Sequence, residues 1–176
     1  VGERLVTTVD TMIKGRHFLD CPPELVARKL LRVNLSDLAA MGARPFGYLL
    51  AAAWPLDIEE SWIAAFCQGL ARDQEVFGVA LYGGDTTGTP GPMTLSLTAF
   101  GKVSGKEVLD RGSLQPGDDI YVSGSIGEGY LGLCVLRGEH RVTADARLEG
   151  RVLQAAVAPY DGFIESAKHR AGDTGE

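Results

Sequence analysis

One stretch constrains the fold of this chain more than any other: residues 34–45, where a helical apolar pattern ends in a glycine and a proline. Apolar residues recur there, and upstream, at intervals of three and four, which predicts one buried face of a helix. Gly42 is typical of the position just beyond a helix end, and Pro45 prevents the helix from continuing. The apolar run 46–54 follows at once and predicts a strand. The stretch therefore predicts a helix, a turn and a strand, with one carboxylate, Asp37, among the apolar residues.

Strand and helix patterns alternate through the first hundred residues. Residues 4–10 are rich in β-branched side chains, and residues 93–103 alternate apolar and polar side chains, which predicts a half-buried strand. Between them, Asp57 and Glu60 have the spacing of a capping box at the start of a second helix, and a short strand, 79–82, follows that helix. The order β-α-β-α-β-β predicts an α/β (α+β layered) fold, in which an amino-terminal mixed sheet has helices packed on one face.

A domain boundary is expected in the polar, turn-rich segment that begins at residue 106. After it we expect a strand over 120–124, a short helix to about Arg137 and a helix over 145–158. These patterns predict an amino-terminal domain, 1–105, followed by the start of a second α/β domain in residues 106–176, which is incomplete.

The composition limits the classes of function. The 176 residues carry a net charge of −6 and are 45% hydrophobic, which is typical of a soluble globular protein. No basic stripe is present, which argues against nucleic acid as a partner, and no apolar run is long enough to span a membrane. The three cysteines are far apart and indicate reduced thiols in the cytoplasm. Because the chain opens directly on a strand pattern, we expect residues before Val1 in a longer parent protein.

Three single carboxylates, Asp10, Asp37 and Asp85, are each expected at the end of an apolar element. Carboxylates at converging element ends are suited to a hard cation such as Mg²⁺, and the hydroxyl of Thr8 adds a further oxygen. Gly84, beside Asp85, allows backbone N–H groups to approach a phosphate. Each Asp taken singly is more often a turn or capping residue, and Gly-Gly-Asp is a common turn. The residues alone therefore indicate an α/β domain with a hint of a metal site.

Four blocks in series resemble the thiamine-monophosphate kinase family. This family belongs to a superfamily with aminoimidazole ribonucleotide synthetase, selenophosphate synthetase and a hydrogenase maturation factor. The resemblance covers about Arg4 to Gly132, and the second block favours the kinase over its relatives. The blocks are Val6–Asp10 with Gly15–Phe18, Asn34–Ala43, Gly83–Thr87, and Arg111–Gly117 leading into Ile120–Gly124.

The resemblance implies ATP-dependent phosphorylation of thiamine monophosphate to thiamine diphosphate by direct in-line transfer. It implies a cluster of magnesium ions held by Thr8, Asp10, Asp37 and Asp85. It implies that ATP contacts Gly84, Asp85 and Arg111, and that His17 lies against the thiamine phosphate. No side chain is implied as a catalytic residue. The enzyme would be a cytoplasmic transferase of thiamine biosynthesis, with no nucleic-acid or membrane partner.

The resemblance also implies a homodimer that pairs through the amino-terminal sheet, with the strand 93–103 as a candidate for the contact. Residues 1–105 would then bind ATP and metal and mediate dimerisation. Three departures from the family pattern stand out. An early Gly-Asp-Asp block of the family would precede Val1, and Val9 replaces a threonine of the family pattern. Segment 158–163 matches a later acidic block of the family only weakly, which leaves the role of Asp161 open. Two alternatives therefore remain: another ATP-dependent synthetase of the same superfamily, and a non-catalytic dimerising fragment.

Overall fold

The structure, a computed structural model, describes residues 2–104, 108–109, 112, 115–119 and 126–139. Within these residues, strands and helices alternate along the first hundred positions, as the sequence predicts. The strands are β1 (Arg4–Ile13), β2 (Arg44–Pro55), β3 (Ala80–Thr89) and β4 (Thr94–Val103), and the helices are α1 (Pro23–Ala40), α2 (Glu60–Phe77) and α3 (Glu128–Leu136).

The four strands form one mixed sheet in the order β1-β4-β2-β3. Strand β4 is antiparallel to both β1 and β2, whereas β2 and β3 are parallel. A parallel pair needs a crossover connection, and α2 provides it. This arrangement confirms the predicted mixed sheet with helices packed on it.

The two faces of the sheet differ, as the alternation in β4 predicts. Leu95, Leu97 and Ala99 are fully buried, whereas the residues between them are only half-buried. Helix α1 packs on the buried face, called here the inner face, where it contacts β1, β4 and β2. The opposite, outer face carries no helix of the described residues.

Helix α2 packs mainly on α1, and a buried ion pair joins the two helices. The Arg32 guanidinium donates from Nε and Nη2 to the two carboxylate oxygens of Asp73, at 2.6 and 2.8 Å. The ring of Phe77 lies 5.3 Å from the guanidinium carbon of Arg32. Removing one partner of such a buried pair costs about 3–5 kcal/mol because a charge is left unpaired. The pair therefore fixes α2 on α1, the helix that carries Asp37.

Helix ends follow the predictions in one case and not in the other. Gly42 has a positive φ of 72° just beyond α1, which confirms its predicted place. The predicted capping box of Asp57 and Glu60 is wrong. Helix α2 begins at Glu60, with Glu59 as its N-cap and no side-chain capping bond. Asp57 instead lies in a turn that is closed by the Ile58 N–H donating to the Pro55 carbonyl at 3.1 Å.

Two strands are longer than predicted, which changes the positions of two carboxylates. Strand β1 pairs with β4 along ten residues, so Asp10 lies inside the strand opposite Leu97. Strand β3 continues through Gly83 and Gly84, which the sequence suggests as a turn, so Asp85 also lies inside a strand. The expectation that these carboxylates end their elements is wrong for Asp10 and Asp85, because pairing with a neighbouring strand continues past them. Asp37 does lie in the last turn of α1.

Beyond β4, helix α3 confirms the predicted short helix that ends near Arg137. The predicted strand 120–124 and helix 145–158 lie outside the described residues, as does Asp161. The boundary between 1–105 and 106–176 therefore stays a prediction. Among the described helices, none is long and apolar enough to cross a membrane.

Candidate metal and phosphate site

Thr8, Asp10 and Asp37 come together between β1 and α1. Thr8 and Asp10 are two residues apart on β1, and both face the helix-covered side of the sheet, because side chains alternate along a strand. Asp37 faces them from α1, and the Thr8 hydroxyl donates to its Oδ2 at 2.8 Å. All three side chains are half-buried. The structure therefore joins three of the predicted site residues at one place.

The electrostatics of this place favour a bound cation. Burial raises the pKa of the Asp10 carboxyl, the nearby negative charge of Asp37 raises it further, and only the charge of His17 acts in the opposite direction. Asp37 also lies at the carboxyl end of α1, where the helix dipole is negative and no basic residue occupies the last turn. Two carboxylates that repel each other beside a negative helix end would be stabilised by a divalent ion.

The donor atoms fit magnesium. Two carboxylates and one hydroxyl supply only oxygen, which hard cations prefer, and Mg²⁺ keeps waters and phosphate oxygens in the rest of its shell. The described residues include no group of three or more His, Cys, Asp or Glu side chains placed to hold a metal ion. With two carboxylates and one hydroxyl, this site would leave positions around a magnesium ion for water and phosphate oxygens.

The raised pKa of Asp10 predicts a dependence of stability on pH and on magnesium. Because the pKa is raised above its ordinary value of 3.8, the folded protein binds this proton more tightly than the unfolded chain does. This tighter proton binding stabilises the folded state below pH 3.8, and the stabilisation is lost as the pH rises through the raised pKa of Asp10. At neutral pH the ionised Asp10 therefore destabilises the metal-free fold.

We expect Asp10→Asn to raise the melting temperature of the metal-free protein at pH 7 by a few degrees. Saturating magnesium should raise the melting temperature of the wild type, since a ligand that binds only the folded state stabilises it, and should have little effect on the variant. Differential scanning calorimetry with EDTA and with magnesium measures both effects. Asp57→Asn, in an exposed turn, is the matched control. An equal magnesium effect on wild type and Asp10→Asn would contradict the role of Asp10.

Asp85 lies elsewhere in the fold. It is exposed and pairs with Ala51 in β2, so three strand spacings, about 14 Å, separate the strand of Asp85 from the strand of Asp10. A Cβ atom at Gly84 would collide with the carbonyl oxygen of Leu50 in the neighbouring strand, so only glycine is accommodated there. Strand β3 is one edge of the sheet that the described residues form, so Asp85 lies exposed beside that edge.

The remaining two predicted residues have different outcomes. His17 lies in the exposed turn directly after β1, the strand that carries Thr8 and Asp10. Its Nδ1 accepts a hydrogen bond of 3.0 Å from the Ile13 N–H. Arg111 lies outside the described residues, and its contact with ATP stays a prediction.

One contact near the site is not indicated by any sequence pattern. Lys29, on α1, donates from Nζ to the carbonyl oxygen of His17 at 2.7 Å. Nothing in the spacing of Lys29 distinguishes it from a solvated lysine on a helix. A contact between a helix side chain and a backbone carbonyl in a turn depends on tertiary packing, which local patterns do not contain.

Comparison with known proteins assigns the family. The model described as "AIR synthase related protein, N-terminal domain" matches residues 1–103. The chain belongs to this family. The match includes all four strands and both helices of the layered fold, and with them Thr8, Asp10, Asp37 and Asp85. This description agrees with the aminoimidazole ribonucleotide synthetase-like superfamily that the four sequence blocks indicate.

Named relatives within the family are thiamine-monophosphate kinases. The enzyme of Caulobacter vibrioides is 47% identical over 190 residues, which cover 99% of this chain and 54% of that protein. The enzyme of Escherichia coli K12 is 36% identical over 196 residues, which cover 98% of this chain and 59% of that protein. A solved structure of AaThiL complexed with AMPPCP and TMP has a TM-score of 0.84 at 28% identity, and covers 95% of this chain and 52% of that one. The chain thus spans about half the length of these relatives.

Proposed function

We propose that this protein takes part in the ATP-dependent phosphorylation of thiamine monophosphate to thiamine diphosphate. The observation that carries the proposal is the oxygen-only site of Thr8, Asp10 and Asp37, in a chain 47% identical to a thiamine-monophosphate kinase. AaThiL, with a TM-score of 0.84, was solved with AMPPCP, an ATP analogue, and TMP. Both support a phosphotransferase whose second substrate is ATP.

The residues have distinct roles in this proposal. Thr8, Asp10 and Asp37 hold magnesium, which when bound offsets the repulsion between the two anionic substrates. Asp85 holds metal near the nucleotide, and Gly84 and Arg111 contact ATP. His17 contacts the phosphate of thiamine monophosphate. An oxygen of that phosphate attacks the γ-phosphate of ATP in line, and since this oxygen is already anionic, no side chain is needed as a general base.

A homodimer is part of the proposal, and the outer face of the sheet supports it. Leu5 and Val9 on β1 are 65% and 59% exposed, and Leu49 on β2 is 39% exposed. Phe46 and Phe100 stack nearby, with ring centroids 6.2 Å apart. An exposed apolar patch on a sheet face is typical of a protein interface. A second copy of the chain, related by a two-fold axis, would cover this patch.

A two-fold dimer that also pairs the strand edges would explain the separation of Asp85 from the other carboxylates. Strands β1 and β3 are the two edges of the described sheet, and open strand edges are usually paired or protected. A dimer that places β3 of one protomer beside β1 of the other would bring Asp85 close to the partner's Asp10 and Asp37. We infer that each complete metal site draws Asp85 from one subunit and Asp10 and Asp37 from the other.

Isothermal titration calorimetry tests whether the protein has an intact nucleotide site. We expect a non-hydrolysable ATP analogue to bind only when magnesium is present. The same titration with EDTA is the negative control, and Asp57→Asn, in the exposed β2–α2 turn, is the matched variant that should bind as the wild type does. A flat titration with magnesium would contradict the proposal and favour a non-catalytic dimerising domain.

The predicted cytoplasmic location is consistent with three cysteines that are all free thiols, and it stays a prediction.

A further inference from the structure

Hydrogen bonds between its own backbone groups close the turn that joins β1 to α1. The N–H of Gly15, which has a φ of 81°, donates to the Phe18 carbonyl at 2.9 Å, and the His17 N–H donates to the Ile13 carbonyl at 2.9 Å. Lys14 and Asp20 form an ion pair of 2.8 Å, and the Phe18 ring is buried in the core. The turn therefore has one defined backbone conformation, and His17 lies at its exposed side.

The ring of His17 has a defined tautomer in this turn. Its Nδ1 accepts the hydrogen bond from the Ile13 N–H, so Nδ1 carries no proton and the proton of the neutral ring is on Nε2. The ring is exposed, and its Nε2–H is free to donate to a ligand. The turn directly follows β1, the strand that carries Thr8 and Asp10, so this donor lies at the end of the strand that contributes to the carboxylate site.

Lys29 holds the same turn from the side of α1. Its ammonium donates to the His17 carbonyl at 2.7 Å. The side chain is partly buried, and burial lowers the pKa of Lys29, so its ammonium group has lost part of its hydration. A partly dehydrated ammonium depends on its protein acceptor, and here that acceptor is the backbone of the residue that presents the imidazole.

We propose that Lys29 is a positioning residue: it fixes the backbone of His17 so that the ring keeps its Nδ1 bond to Ile13 and presents Nε2–H to the phosphate of the acceptor substrate. The acceptor is a phosphate monoester, for which one neutral donor beside a metal site provides orientation without adding charge. The identity of this acceptor rests on the proposed function. The contacts that join Lys29, His17 and Ile13 do not rest on the proposed function.

The tautomer of His17 tests the positioning role without any assay of activity. Long-range proton–nitrogen NMR correlations of the imidazole rings distinguish the two tautomers of each of the three histidines, and His17→Gln identifies the signals. We expect the wild type to show His17 as the Nε2–H tautomer alone. Lys29→Met, which keeps an unbranched side chain one atom shorter than lysine but removes the donor, should show a mixture, and Lys29→Arg should restore the single tautomer. Arg28→Met, next on the same helix and paired with Asp73, is the matched control.

Steady-state kinetics then tests the consequence for the substrate. We expect Lys29→Met to raise KM for thiamine monophosphate about tenfold, the effect of a misplaced hydrogen-bond donor, with KM for ATP unchanged. An unchanged tautomer in a folded Lys29→Met protein would overturn the inference, as would an altered tautomer with an unchanged KM for the acceptor. If the wild type shows no activity with thiamine monophosphate, the proposed function fails, and the NMR result still decides whether Lys29 positions His17.

Discussion

Replacing Asp37 with asparagine is expected to lower kcat for the formation of thiamine diphosphate by more than about 100-fold, the cost of removing one preorganised electrostatic group from a transition state. Asparagine has the shape of aspartate and still offers an oxygen to the Thr8 hydroxyl. In the wild type that hydroxyl donates to Oδ2 of Asp37 at 2.8 Å. The fold should therefore persist. What is lost is the negative charge that the proposal assigns to magnesium binding, and steady-state kinetics at saturating magnesium measures that loss.

Two controls separate the loss of metal binding from a loss of structure. Circular dichroism and the melting temperature should show that Asp37→Asn is folded. Asp57→Asn removes a carboxylate from the exposed turn between β2 and α2 and should leave kcat unchanged. Wild-type kcat in the Asp37→Asn protein would exclude Asp37 as a metal ligand and would leave Asp10 without a carboxylate partner.

The second prediction is that two inactive variants recover activity when they form mixed dimers. In the proposed dimer, Asp37 and Asp85 of one site come from different subunits. A mixed dimer of Asp37→Asn and Asp85→Asn chains would have one site with both substitutions and one site with neither. If chains exchange at random, half of the dimers are mixed, so about a quarter of the wild-type kcat should return.

Co-expression of the two variants with different affinity tags allows the mixed dimer to be purified and assayed. Each variant alone should be inactive, and mixing Asp37→Asn with Asp10→Asn chains is the matched control. Those two carboxylates face each other within one chain, so every site of that mixed dimer carries a substitution and no activity should return. Recovery in the control pair, or none in the test pair, would contradict a site shared in this way.

The sequence predicts the elements well where a local pattern decides them. The interval of apolar residues and the glycine at 42 locate the end of α1, and the alternation in β4 separates its two faces. The patterns fail at β3, because Gly83 and Gly84 have low strand propensity, whereas pairing with β2 keeps the strand extended through them. They also fail at Asp57, where a turn bond to Pro55 starts the helix later than the side chains suggest.

The candidate site shows the same division between local and distant information. Thr8 and Asp10 share a face because they are two residues apart in a strand, which a local pattern contains. Their closeness to Asp37 needs α1 to lie on that face, which a β-α connection makes the natural result. The distance to Asp85 follows from β4 lying between β1 and β2, and strand order depends on pairing between residues far apart in the sequence. The contact between Lys29 and His17 has the same origin.

Transfer of a labelled phosphate tests the central claim most directly. The protein is incubated with magnesium, thiamine monophosphate and ATP that carries a radioactive γ-phosphate, and the products are separated by chromatography. The proposal predicts that the label enters thiamine diphosphate, in an amount equal to the ADP formed, and that EDTA abolishes the transfer. Release of the label only as inorganic phosphate, or no consumption of ATP in the presence of thiamine monophosphate, would contradict it.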